Sequence, residues 1–260
     1  MNKSLHIKRI FFSTSIKAKT TTSFASSAKS TTATTTTTTT SFTSTTKSTT
    51  ATTTTTTDYS PSKIKTNKIS YSLFLFITVA LTLLTGTEEI VYPIWNTIAG
   101  GNSTESVAGE DTGNYYPGET PQMAFDQQSA TKYTNFGSCT PSKWGYTCGE
   151  KTGLYLTPIR GLSCLQSVRF CTANDIPERD PLTITIEGSN QTSSELTLGS
   201  SWTLIYNGSS GLDTDPGRQV YGQTQHISNY AWYRSYRILA TKQRGYHSSI
   251  QYAEIELKGY

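Results

Sequence analysis

The stretch 168–190, VRFCTANDIPERDPLTITIEGSN, constrains the fold more than any other part of the chain. Val168, Arg169 and Phe170 alternate apolar and polar, the period of a strand with one buried face. Residues 173–181 break that period with two prolines, an asparagine and three acids, and so read as an ordered loop. Alternation then resumes. Leu182, Ile184 and Ile186 fall on one face, and Thr183, Thr185 and Glu187 on the other. Gly188-Ser189-Asn190 ends the strand.

The C-terminal half continues in this style. Further strands are expected over 154–157, before Pro158 and an Arg160-Gly161 turn, and over 202–206, where Asn207-Gly208 is a strong turn dipeptide. Residues 233–241 and 250–258 close the chain as strands. No segment here keeps a helical spacing, and no internal repeat is visible. Short strands separated by turns predict an all-β antiparallel sandwich or jelly roll. Its expected core is Phe125, Val168, Phe170, Ile184, Trp202, Tyr236, Ile238 and Ile255.

Several short motifs point to a known family. Thr172-Ala173-Asn174-Asp175, Arg179-Asp180-Pro181 and Glu187-Gly188-Ser189-Asn190 frame the loop. Upstream stand Ala124-Phe125-Asp126 and Thr131-Lys132-Tyr133. Downstream come Trp202-Thr203-Leu204-Ile205, Tyr236-Arg237-Ile238 and Ala253-Glu254-Ile255-Glu256-Leu257. Together they resemble the discoidin-like domains, the coagulation-factor type C, galactose-binding-like family. The resemblance spans roughly residues 92–260 and implies an eight-stranded jelly roll with its ligand held on loops at one end.

The chain's net charge of +4 conceals a split. Residues 1–70 carry ten Lys/Arg and one acid, whereas the remainder carries twelve Lys/Arg and seventeen acids. The folded part is therefore mildly acidic and has no nucleic-acid signature. Residues 1–68 contain an almost unbroken threonine tract with too few large apolar groups to offset chain entropy, and are expected to be disordered. Residues 69–87, ISYSLFLFITVALTLLTGT, are uncharged. As a helix they reach about 28 Å, the thickness of a hydrocarbon core. Lys63, Lys65 and Lys68 precede the run and Glu88 and Glu89 follow it, so the expectation is a type II signal anchor with an extracellular C-terminal domain over 88–260. A cleaved signal core, a buried core strand, for which the surrounding sequence offers no partner, and a mitochondrial transit peptide are the competing readings.

Four cysteines, Cys139, Cys148, Cys164 and Cys171, all lie in the folded half, without metal-site spacing. Cys139 with Cys148 would close a short loop. Cys164 and Cys171, at the two ends of one strand, would stand about 23 Å apart and cannot bridge each other. Buried free thiols are the alternative. The cysteines and the sequons at Asn102, Asn190 and Asn207 agree with an oxidising compartment.

No nucleophile elbow, zinc motif or phosphate loop is present, and acids beside prolines on a surface loop usually make turns, so catalysis is not expected. The resemblance implies a Ca²⁺ site formed by Asp126, Thr131, Ala253 and Glu254. This chain departs from the family pattern by carrying Gln127 and Gln128 in that loop. Sugar binding needs aromatic faces and directed donors. Tyr115, Tyr116, Trp144, Tyr146 and Tyr221, with Arg179, Arg218 and Arg244, are the ligand-binding candidates. The expected function is a membrane-tethered ectodomain that binds carbohydrate without catalysis. The alternatives are anionic-lipid binding, which the acidic balance disfavours, and protein–protein adhesion.

Overall fold

In the computed structural model, which describes residues 80–140, 142 and 146–260, the strands on either side of the signature loop lie in different sheets. The strands in chain order are β1 (Thr82–Leu83), β2 (Val91–Trp95), β3 (Thr104–Glu105), β4 (Val107–Ala108), β5 (Asn114–Tyr115), β6 (Tyr133–Asn135) and β7 (Thr152–Leu156), then β8 (Leu165–Cys171), β9 (Pro181–Ser189), β10 (Thr203–Ser209), β11 (Gln225–His226), β12 (Ser235–Gln243), β13 (Ile250–Tyr252) and β14 (Glu254–Gly259). One sheet has the order β1-β14-β8-β11, a second β10-β9-β12-β7-β2-β3, and a third β13-β6-β5-β4. Among the described strands, every pairing is antiparallel except β4 with β5.

Alternation decides which side chains meet between the layers. Val168 and Phe170 of β8 and Ile255 and Leu257 of β14 pack with Leu154 and Leu156 of β7, Ile184 and Ile186 of β9, and Tyr236 and Ile238 of β12. Tyr133 and Tyr252 extend this core beneath the third sheet, with Phe170 and Tyr252 rings edge-on at 5.3 Å. All eight expected core residues are buried. The result is an all-β sandwich that fits a jelly roll.

Three features depart from the expectations. Asn207-Gly208 is not a turn: β10 runs through it, with Asn207 opposite Thr185 and Gly208 opposite Ile184. The β9 ladder continues past the dipeptide and overrides its local preference. Residues 250–258 are not one strand, because the chain changes sheets at Ala253, whose N–H bonds to the Cys171 carbonyl at 3.0 Å. The outer face of β9 and β12 is also covered. There Arg237 Nε donates to Glu187 Oε2 at 2.7 Å, and Nη1 donates to the Gly101 carbonyl (2.8 Å) and Ser103 Oγ (2.9 Å). Trp202 lies under that guanidinium at 4.8 Å, in a second small core with Ile94, Tyr155, Leu196 and Leu239.

Among the described residues no helix is long and apolar enough to cross a membrane. The expected disordered arm and the first part of the expected anchor, 69–79, lie outside the described residues. The end of the expected helix is corrected. Thr82 and Leu83 pair with Gly259 and Lys258. Leu84 is buried in the main core, and its N–H bonds to the Leu257 carbonyl at 2.8 Å. Burying this side chain against an existing sheet favours extended backbone over a continued helix.

Candidate ligand platform and cation site

The register places most of the candidate residues at one end of the sandwich. The C-terminal end of β8, the start of β9, the end of β12 and the start of β14 meet there, since Glu254 lies opposite Cys171 and Gln243 opposite Pro181. The signature loop crosses this end. Ile176 adopts a left-handed conformation (φ 37°), and Pro177–Arg179 forms one 3-10 turn.

Two of the arginine candidates hold that loop together. Arg218 grips the fully buried Asp180 with both guanidinium arms, Nη1 to Oδ1 at 2.9 Å and Nη2 to Oδ2 at 2.7 Å. It also reaches Asp215 (2.5 Å) and the Asp175 carbonyl (3.3 Å). Arg244 approaches the same Asp180 carboxylate at 3.4 Å and donates to the Leu212 carbonyl. Burial raises the Asp180 carboxyl above its ordinary range, and Arg218 works against that rise. The Asp180 and Arg218 groups are thus engaged within the loop itself.

A second polar cluster faces the disulfide-closed loop. Lys132 Nζ bonds to Asp175 Oδ1 at 2.6 Å and lies 3.5 Å from Glu119. Gln251 Nε2 donates to the Asp175 carbonyl (2.6 Å) and to Asp175 Oδ1 (2.9 Å). Burial pushes the Asp175 carboxyl upward, but the bonds from Lys132 and Gln251 outweigh it and hold the group below its ordinary range. Arg179 Nε donates to His247 Nδ1 at 2.8 Å, and the Ser248 N–H donates to the same nitrogen at 2.9 Å. Two donors on Nδ1 place the proton of a neutral imidazole on Nε2. Burial, followed by the Arg179 charge, lowers the His247 pKa.

Two exposed tyrosines lie on the segments next to this cluster. Cys139 and Cys148 form the expected disulfide. Next to it, Thr147 bridges His247 in parallel, and the His247 N–H donates to the Tyr146 carbonyl at 2.7 Å. The residues immediately before this bridge are Tyr146 and Tyr246, with 62% and 75% of their surfaces exposed. The sequence reading found Tyr146 but missed Tyr246, which follows an unremarkable Arg-Gly. Trp144 lies outside the described residues. Tyr116 is exposed beside Phe136, whereas Tyr115 packs on Tyr133 at 6.4 Å and Tyr221 lies 4.1 Å from the Arg169 guanidinium. Tyr115 and Tyr221 are half-buried in these contacts.

The residues proposed for calcium also meet at this end. The Gln128 N–H is shared between Asp126 Oδ1 (2.9 Å) and Glu254 Oε1 (2.7 Å), and Thr131 Oγ1 donates to Asp126 Oδ2 at 2.7 Å. Ala253 adjoins Glu254 at the break between β13 and β14. Gln127, where the family pattern has glycine, takes the left-handed conformation that glycine favours (φ 62°). Burial, followed by the neighbouring Asp126, pushes the Glu254 carboxyl up to about 8. Neither carboxylate has a Lys or Arg ion-pair partner among the described residues. Two crowded hard-oxygen donors and a hydroxyl fit a calcium ion, which would relieve their repulsion. No three His, Cys, Asp or Glu side chains gather among the described residues, so a cation here would also need backbone oxygens.

Cys164 and Cys171 are free and buried, and burial pushes the Cys171 thiol up to about 11. Asn102, Asn190 and Asn207 are all exposed.

No family model and no curated protein matches the chain. Several solved structures do. The family 32 CBM from Clostridium perfringens NanJ, in complex with galactose, is 12% identical with a TM-score of 0.43, covering 69% of this chain and 99% of that one. A chitosan-binding module from a Paenibacillus sp. IK-5 chitosanase/glucanase is 14% identical with a TM-score of 0.41, covering 68% and 99%. A C. perfringens CBM32 module in complex with GalNAc-β-1,3-galactose is 9% identical with a TM-score of 0.41, covering 68% and 99%. None of these likenesses transfers a residue role to this chain.

Proposed function

We propose that the folded domain binds carbohydrate without catalysis, at the signature-loop end of the sandwich, and that Ca²⁺ held by Asp126, Thr131, Glu254 and the Ala253 carbonyl braces that end. The observation that carries this reading is the exposure of Tyr146 and Tyr246 on two distant segments that the Thr147–His247 bridge joins at this end. Exposed tyrosine side chains can offer ring faces to a sugar, and the half-buried Arg179 guanidinium in the same cluster can supply donors. The acids of the loop support a non-catalytic role, since Asp180 is buried against Arg218 and Asp175 is bonded to Lys132 and Gln251. The second part of the reading is a membrane tether through the apolar run that begins at residue 69, with the domain on the extracellular side.

A glycan array probed with the compact 71–260 unit, in calcium and in chelator, tests the first part. Retention on a defined glycan, reduced about tenfold by Tyr246→Ala, is the expected result, one stacked ring being worth roughly that factor. An array that stays blank while the domain sediments with anionic liposomes would replace sugar by lipid. Protease added to intact cells tests the tether, and should remove the domain from the cell surface.

A further inference from the structure

We propose that the end of the sandwich opposite the signature loop is a bilayer-contact surface that rests in the headgroup layer of the membrane holding the chain. This rests on the tether reading above and adds an orientation and a second contact site to it.

The apolar side chains at the two ends differ in kind. At the signature end the large exposed ones are mainly tyrosines. At the far end stand Leu83, Ile90, Ile159, Leu162, Tyr230 and Trp232, all exposed; Ile159 shows 70% of its surface and Tyr230 89%. They come from separate segments that the hydrogen bonding draws together. Arg160 Nη1 donates to the Leu83 carbonyl at 2.9 Å, and Ser163 exchanges backbone bonds with Tyr233 (2.9 and 2.8 Å). Ile159 lines two adjoining hollows, one of about 610 Å³ with Leu83 and Leu84, the other of about 550 Å³ with Ile90 and Tyr92. Aliphatic side chains rimmed by tyrosine and tryptophan suit the boundary between hydrocarbon and headgroups.

The path of the chain says what covers this end. β1 enters there, directly after the apolar run, so that run ends at the patch. Because Thr82 to Leu84 belong to the sandwich, the uncharged residues left to cross a membrane are 69–81 only. Ala80 and Leu81 are not helical, so the eleven residues 69–79 would reach about 16 Å as a helix, against a hydrocarbon thickness of about 30 Å. A span this short draws whatever it carries against the bilayer, and immersing an apolar rim offsets part of the mismatch. Exposed Arg160 and Arg234 are balanced by exposed Glu88 and Glu195, so the patch has no preference for anionic lipid and phosphatidylcholine is the suitable probe.

The test uses the full chain in phosphatidylcholine vesicles, with nitroxide labels on Leu162→Cys, Tyr230→Cys and, at the other end, Tyr246→Cys. Wild-type protein measures background labelling of the buried Cys164 and Cys171. Labels at 162 and 230 should be about tenfold less accessible to a water-soluble nickel chelate than the label at 246, and more accessible to oxygen. Adding Leu162→Glu should return the label at 230 to water without moving the melting temperature, because Leu162 is already half exposed. If the chain floats with vesicles yet the labels at 162 and 230 stay as wet as that at 246, the contact surface is refuted and the tether stands. If the chain does not float, both fall. Shielding that persists without vesicles would mean that a second copy covers the patch, which also overturns the proposal.

Discussion

Arg218 shows how a ligand candidate changes meaning once its partners are known. From sequence it is a donor on a loop. In the structure it is the counter-charge of a carboxylate with no solvent exposure. Removing one member of such a pair leaves the other buried and uncompensated, at a cost of about 3–5 kcal/mol. Arg244 still reaches Asp180, so Arg218→Ala is expected to cost about 3 kcal/mol in urea unfolding, at the low end of that range. Arg218→Lys should recover only part, since a lysine cannot span both oxygens. Glu254 gives the pH counterpart. Its folded pKa, about 8, lies above the ordinary 4.5, so the folded state binds the proton more tightly than the unfolded state does. Without calcium, stability should therefore be greatest below pH 4.5 for this group and decline as pH rises through 8. Melting curves in chelator from pH 5 to 9 should show the decline. Millimolar calcium should flatten it, and Asp126→Asn should weaken both effects. A chelator curve already flat in pH would remove the carboxylate pair from the account.

At the scale of elements, the alternating strands were the readable part. β8 occupies the expected residues, and Ile184 and Ile186 of β9 fill the core as their spacing required. What the spacing could not show was the cover on the other face. Glu187 looks like an outward residue of an amphipathic strand, yet the segments near Gly101 and Leu196 bury it with Arg237. Asn207-Gly208 misled for a related reason: a dipeptide preference is local, while the β9–β10 ladder is set by six residue pairs. The exposed tyrosines of this end were half readable, because only the Thr147–His247 bridge brings the distant segment of Tyr246 to that of Tyr146. β1 carries the prediction at this scale. Leu84 belongs to the main core, so Leu84→Ala should cost about 2–5 kcal/mol in chemical unfolding, as deletion of a buried leucine side chain does elsewhere. An exposed anchor residue would cost almost nothing. Reduction of the Cys139–Cys148 bond tests a second element. A loop this short should lose about 2–3 kcal/mol, together with glycan retention by the loop that carries Tyr146.

For the whole molecule, the two proposed surfaces stand at opposite ends of the same strands, and this separation has a consequence of its own. β12 runs nine residues from Ser235, beside the apolar end, to Gln243, beside the platform. At about 3.3 Å per residue the ends are roughly 27 Å apart. That exceeds the 7–10 Å over which substitutions usually couple, and the Debye length of about 8 Å at physiological salt. The core between them is one packed cluster. Glycan affinity of the full chain in vesicles should therefore match that of the detached 71–260 unit within about twofold. Tyr246→Ala should weaken capture of vesicles by glycan-coated beads about tenfold while leaving the labels at Leu162 and Tyr230 shielded. Leu162→Glu should do the reverse. Chelating calcium should weaken capture alone, because Asp126 and Glu254 sit at the platform end. Coupled outcomes, in which either substitution shifts both readouts by more than about threefold, would show that the ends communicate. The two surfaces would then have to be treated as one site.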